Sequence, residues 1–83
     1  MVTMIAERPM DPSVLRDIVT KKMPFGKYKG AKIYRLPSFY LEWFASKGFP
    51  EGKLGMWMST IYEIKLNGLE HLLHPIIKEL EKD

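Results

Sequence analysis

The stretch Met23-Pro24-Phe25-Gly26-Lys27-Tyr28-Lys29-Gly30 admits no regular helix, and whatever lies on either side must be arranged around it. Pro24 has no N–H to donate, and Gly26 and Gly30 both disfavour helix. The two glycines supply positions for positive φ or close backbone approach. The stretch reads as a tight turn with lysines at its tip, joining two short strands, Met23-Pro24-Phe25 and Ala31-Lys32-Ile33-Tyr34. Two such strands are marginal alone in water, so they must pack on helices.

Helices are legible on both sides. Asp11-Pro12 is a start signal: Asp11 can accept bonds from orphan N–H groups, and Pro12 suits the first helical position. Val14, Leu15, Ile18 and Val19 then share one face, and Lys21 and Lys22 complement the dipole at the far end, which predicts a helix from Pro12 to Lys21. Residues 1–10 have no clear period and read as a mobile or extended N-terminal arm, ahead of a single small domain over residues 11–83. Beyond the turn, Leu36-Pro37-Ser38 opens a second helix that ends at Gly48. Its aromatic pairs at i,i+4, Phe39/Trp43 and Tyr40/Phe44, with Leu41 between them, predict a helix central to the core. A third helix reads from Glu51 to Leu66, with Leu54, Trp57, Met58, Ile61, Tyr62 and Ile64 on its buried face. Gly52 and Gly55 weaken its first turns and let another element approach closely, and Asn67-Gly68 stops it.

Leu69, Leu72, Leu73, Ile76, Ile77 and Leu80 keep helical spacing, but Pro75 interrupts them. The stretch is one kinked helix, or a short turn to Leu73 followed by a fresh helix from Pro75. Glu79, Glu81, Lys82 and Asp83 form a solvated end. The predicted fold class is mostly α (α+β): a helix, a short β-hairpin, then two to three packed helices.

Eighty-three residues lie near the lower limit for a self-sufficient core, which dimerisation would supplement. The absence of cysteine excludes disulfide staples, thiolate zinc sites and a thiol nucleophile, and makes the cytoplasm the expected location. No apolar run approaches the roughly 20 residues of a membrane span. Met1 to Ala6, followed by Glu7 and Arg8, lacks the charged start and full apolar run of a signal peptide.

Charge is distributed unevenly. The net charge is +3, yet six of the 13 basic residues (Lys21, Lys22, Lys27, Lys29, Lys32 and Arg35) fall between Ile18 and Leu41, where there is no acid. The other seven stand against all ten acidic residues, so the rest of the chain is net negative. Two readings of this pattern stand side by side. In one, Lys27, Lys29, Lys32 and Arg35 meet the phosphates of nucleic acid or another polyanion, N–H groups such as that of Gly30 add anion donors, and Tyr28 stacks on a base. In the other, the turn is a solvated basic loop in which Phe25 and Tyr28 merely pack, and the Trp43, Phe44, Phe49, Met56, Trp57 and Met58 group offers an apolar face to a protein partner or a second copy.

Catalysis finds little to build on. The glycine spacing lacks the longer loop ending in Lys-Ser/Thr of a phosphate-binding loop. His71 and His74 are three apart with no second ligand pair, Glu42 and Glu63 read as wet-face carboxylates, and no serine has a flanking base motif. No catalytic residue, metal or cofactor is expected, and the chain reads as a non-enzymatic binding module.

The turn is followed by Leu36-Pro37-x-x-Tyr40-Leu41-x-Trp43-Phe44, then by Lys47-Gly48-Phe49-Pro50-x-Gly52-Lys53-Leu54-Gly55, and then by Tyr62-Glu63-Ile64-Lys65-Leu66-Asn67-Gly68-Leu69. In this order, over about residues 20–77, the chain resembles a bacterial family of small uncharacterised proteins labelled "putative quorum-sensing-regulated virulence factor". That label implies a regulatory association rather than a chemistry. Residues 23–43 alone also look like an accessory module found after proofreading-type exonuclease domains, which implies a place for the turn beside nucleic acid. The metal-binding acids of those enzymes have no counterpart here, so nuclease activity does not carry over.

Overall fold

A computed structural model describes residues 11–80. The N-terminal arm expected over residues 1–10, and residues 81–83 of the charged end, lie outside the described residues. Helix α1 spans Pro12–Thr20, α2 Ser38–Lys47, α3 Gly52–Leu66 and α4 His74–Leu80, with short 3-10 turns at Ile33–Arg35 and Glu70–Leu73. The central element is α3, which packs against α1, α2 and the first 3-10 turn, while α4 closes on α1.

Local chemistry sets these boundaries. The Asp11 carboxylate accepts from the Ser13 N–H at 2.9 Å and from its hydroxyl at 2.8 Å, capping α1. At the end of α3, Gly68 N–H donates to the Lys65 carbonyl and Leu69 N–H to the Ile64 carbonyl, the paired bonds of a Schellman stop. Pro75 sits in the first turn of α4, where its missing N–H is not needed, and the 3-10 turn before it is the alternative the sequence allowed.

The core is aliphatic. Leu15, Ile18 and Val19 of α1 meet Met58, Ile61 and Ile64 of α3, joined by Met23, Ile33, Leu36, Leu41 and Leu73. Gly55 is buried because the chain at Pro50 doubles back against α3; a Cβ there would collide with the Pro50 carbonyl oxygen. The close approach anticipated at the start of this helix is therefore real, and it is made by the loop from α2.

Two expectations are corrected. The first is the β-hairpin: the described residues contain no strand, and one antiparallel bridge joins Lys22 to Lys32. Met23 N–H donates to Ala31 at 2.8 Å, but the Met23 carbonyl accepts from Gly30 rather than Ala31, so the register slips by one residue. Pro24 then has no N–H to continue the ladder. On the other side Ile33–Arg35 winds into a 3-10 turn, with Leu36 N–H bonded to the Ile33 carbonyl. The second is the aromatic helix α2. It buries Leu41 and half-buries Tyr40 and Phe44, but leaves Phe39 63% and Trp43 55% exposed.

Candidate nucleic-acid interface

The lysine-bearing turn is built from two overlapping bends. Lys29 N–H donates to the Gly26 carbonyl at 3.1 Å and Ala31 N–H to the Tyr28 carbonyl at 2.9 Å. Gly30 is the third residue of the second bend and takes φ +91°, a conformation that a side chain would strain. Gly26, at φ +80°, lies beside the hydroxyl of Tyr40: a Cβ there would stand 3.1 Å from that oxygen. Both glycines shape the turn, and Gly30 spends its N–H on the Met23 carbonyl at 2.8 Å.

Lysines project from stem and tip. At the stem, Met23–Ala31 and Ile33–Lys21 hydrogen bonds flank Lys22 and Lys32, which therefore stand directly opposite each other. A pair of this kind brings its Cα atoms to about 4.5 Å and its side chains to one face. Met23 and Ile33 are buried, so the alternation of side chains turns Lys22 and Lys32 away from the core. Lys22 is exposed and Lys32 half-buried. At the tip Lys27 and Lys29 are exposed. Among the described residues none of Lys21, Lys22, Lys27, Lys29 and Lys32 forms an ion pair; Lys65 and Glu70, at 2.8 Å, pair elsewhere in the molecule. Arg35 is turned to its neighbour: its Nε donates to the Tyr34 hydroxyl at 3.2 Å, and the guanidinium lies 5.5 Å from that ring.

Tyr28 is half-buried and meets Tyr40 edge-on, with ring centroids 4.7 Å apart. Lys27 Nζ lies 5.8 Å from the centre of the Tyr28 ring. Tyr40 touches Phe44 at 5.2 Å, and Phe44 touches Trp43 at 5.1 Å, so an unbroken row of rings leads from the turn onto α2. Burial, with the nearby Tyr28 hydroxyl second, holds the Tyr40 phenol above its ordinary pKa. Of the predicted site, the structure thus groups Lys27, Tyr28, Lys29 and Gly30 at the tip and Lys32 at the stem, with Arg35 beyond it on the 3-10 turn.

A family model described as "Putative quorum-sensing-regulated virulence factor" matches residues 11–76. The chain belongs to this family. The match runs from the cap of α1 into α4, and so takes in the turn and the row of rings. Two curated relatives, each named "Uncharacterized protein YpeB", come from Escherichia coli K12 and Escherichia coli O157:H7. Each is 46% identical over 72 residues, covering 86% of this chain and all of the relative. No solved structure matches. Membership brings a regulatory description and no chemistry, so the site must be read from its own residues.

Those residues include side chains that the sequence reading placed elsewhere. Phe39 and Trp43 stand in the solvent beside the turn, together with Phe25 at 45% exposure. The signal for them was present: Phe39, Tyr40, Leu41, Trp43 and Phe44 together span about 200° of the helix circumference at 100° per residue, twice the stripe that a single packed face buries. Conversely, Met58 is buried and Met56 and Trp57 are half-buried, so the methionine-rich part of the expected apolar face is largely turned inward. His71 and His74 are both exposed, and among the described residues no three His, Cys, Asp or Glu side chains gather as metal ligands would. No described helix is long and apolar enough to cross a membrane.

Proposed function

We propose that the chain is a non-enzymatic binding module, acting in the cytoplasm, whose lysine-bearing turn meets the phosphates of nucleic acid or another polyanion. The observation that carries this reading is the pairing of Lys22 with Lys32 across an antiparallel bridge. Like charges directly opposite each other destabilise such a bridge. No acid between Ile18 and Leu41 offsets the repulsion, and an anion lying between the two ammonium groups would. Lys27 and Lys29 extend the same basic surface to the tip, Gly30 gives the tip its shape, and Tyr28 with Arg35 borders it.

The test is fluorescence anisotropy of labelled DNA and RNA across a salt series, with wild type beside a Lys27→Glu/Lys29→Glu variant. Four lysines each meeting a phosphate give a slope of log K against log salt of about −3 on a single strand. Binding of that salt dependence, lost in the variant while the helical circular dichroism persists, supports the reading. Binding untouched by the double charge reversal removes the turn from the site.

A second reading, association with a protein partner or another copy, is favoured by Leu66, which is 63% exposed at the end of α3, with Leu72 and Leu80 exposed beyond it. Apolar association would persist at high salt, where polyanion binding fails.

A further inference from the structure

We infer that the ligand is a single-stranded nucleic acid, held by its phosphates on the lysine-bearing turn and by its bases on the exposed rings of Trp43 and Phe39. The inference rests on the polyanion reading above and deepens it. It starts from a cost: α2 holds two of the largest apolar side chains in the molecule in solvent, Phe39 at 63% and Trp43 at 55% exposure. They are four residues apart, so they share a face and are offset by about 6 Å along the helix axis.

Their position relative to the turn follows from helical geometry. Tyr40 of α2 touches the turn, through the ring of Tyr28 and with its hydroxyl beside Gly26. At 100° per residue, Trp43 lies about 60° around the helix from Tyr40, and Phe39 about 100° in the same direction. Leu41 lies about 100° the other way, toward the core, where it is fully buried. The two exposed rings therefore continue the row Tyr28–Tyr40 outward from the turn. Lys47, also exposed, follows Trp43 by four residues and adds a cation to the same stripe. The exposed carboxylate of Glu42 lies about 60° beyond Phe39 in the same direction, so it borders the two rings on the side away from the turn.

A ligand for this surface must offer negative charge at the turn and flat apolar faces beside it. A duplex offers the charge but keeps its base faces inside the stack. A simple polyanion offers no faces at all. A single strand offers both, and stacking on protein rings tolerates any base because every base has a π-face. Tyr28 is not the platform, since its ring is half-buried against Tyr40; it holds the turn to α2.

The test compares a labelled single strand of about 12 nucleotides with the same strand annealed to its complement, and uses inorganic polyphosphate as competitor. Wild type is expected to prefer the single strand to the duplex by about tenfold or more. Trp43→Ala and, separately, Phe39→Ala should each weaken single-strand binding about tenfold and narrow its margin over the duplex, whereas Trp43→Phe keeps most of it. Trp43 fluorescence, read in a Trp57→Phe background, should quench as the strand binds. Equal affinity for strand and duplex, or binding lost in Lys27→Glu/Lys29→Glu but unchanged in both alanine variants, overturns stacking and leaves the polyanion reading standing. Polyphosphate that binds as tightly as the strand does the same. Absence of binding to any of these probes at low salt sinks both. Dissociation of a dimer by Trp43→Ala in sedimentation, without loss of strand binding, makes the rings an interface between copies and also overturns the inference.

Discussion

Helices α2 and α3 have similarly apolar sequences and opposite fates. Along α3 one side is sealed: Met58, Ile61 and Ile64 are each at most 1% exposed, and the loop from α2 presses on Gly55 beside them, while Leu66 in the last turn stands 63% exposed. Along α2 the apolar residues wrap around the helix, α3 and the lysine-bearing turn cover part of it, and the surplus rings face water. Apolar content alone does not decide burial; the number of elements that reach a helix does, and α3 is met by α1, α2 and the first 3-10 turn. A small domain can thus carry its core on one helix and display large rings on the helix before it, beside a loop whose charges repel one another.

The contrast breaks most visibly by adding a single carbon to α3 or taking one ring away from α2. Gly55→Ala places a methyl against the Pro50 carbonyl, a backbone atom that cannot swing aside, and is expected to cost about 3 kcal/mol or more. Phe39→Ala, by contrast, removes a much larger group from solvent and should shift stability by only about 0.5 kcal/mol either way. Urea titrations followed by circular dichroism measure both. A Phe39→Ala variant as damaged as Gly55→Ala would mean that the ring is buried in solution and that α2 is a core helix after all.

The helices, their stops and the aliphatic core were legible in the sequence because each depends on neighbours a few residues away. Asp11-Pro12, Asn67-Gly68 and the spacing of Ile61 and Ile64 act within one or two turns, and so does the break at Pro75. The hairpin and the fate of the rings depend on tertiary placement. Whether Met23 and Ala31 start a ladder turns on the register at Gly30, and whether Phe39 is covered turns on how many neighbours reach α2. The lysines of the candidate site were found by composition alone. That two of them, Lys22 and Lys32, face each other was hidden until the bridge fixed their register.

That pair gives a second, smaller test. Lys22→Glu replaces repulsion by attraction across the bridge and should stabilise the fold by roughly 0.2–1 kcal/mol, a gain that shrinks as salt is added. The same change should weaken polyanion binding. Stability rising while affinity falls is what a site under electrostatic strain gives. If both fall together, the lysine serves the fold, and the contrast between a packed helix and a displayed surface loses its basic half.

The smallest effect is expected where the two regions meet, at Tyr40, which rests on the turn from one side and on Phe44 from the other. Burial, then the proximity of Tyr28, raises its pKa, so the folded chain keeps this proton to higher pH than the unfolded chain does. Below the ordinary phenol value of about 10 both states hold the proton and Tyr40 has no influence on the pH dependence. Above it the unfolded state gives the proton up first, so unfolding is favoured and stability falls until the folded phenol ionises too. Tyr40→Phe removes this contribution, so its stability should decline less between pH 9.5 and 11 (about half a unit below the ordinary phenol value and one unit above it) than that of wild type, with lysine titration common to both. Parallel declines would place the Tyr40 hydroxyl in water, and the row of rings would then stop at the turn instead of binding it to α2.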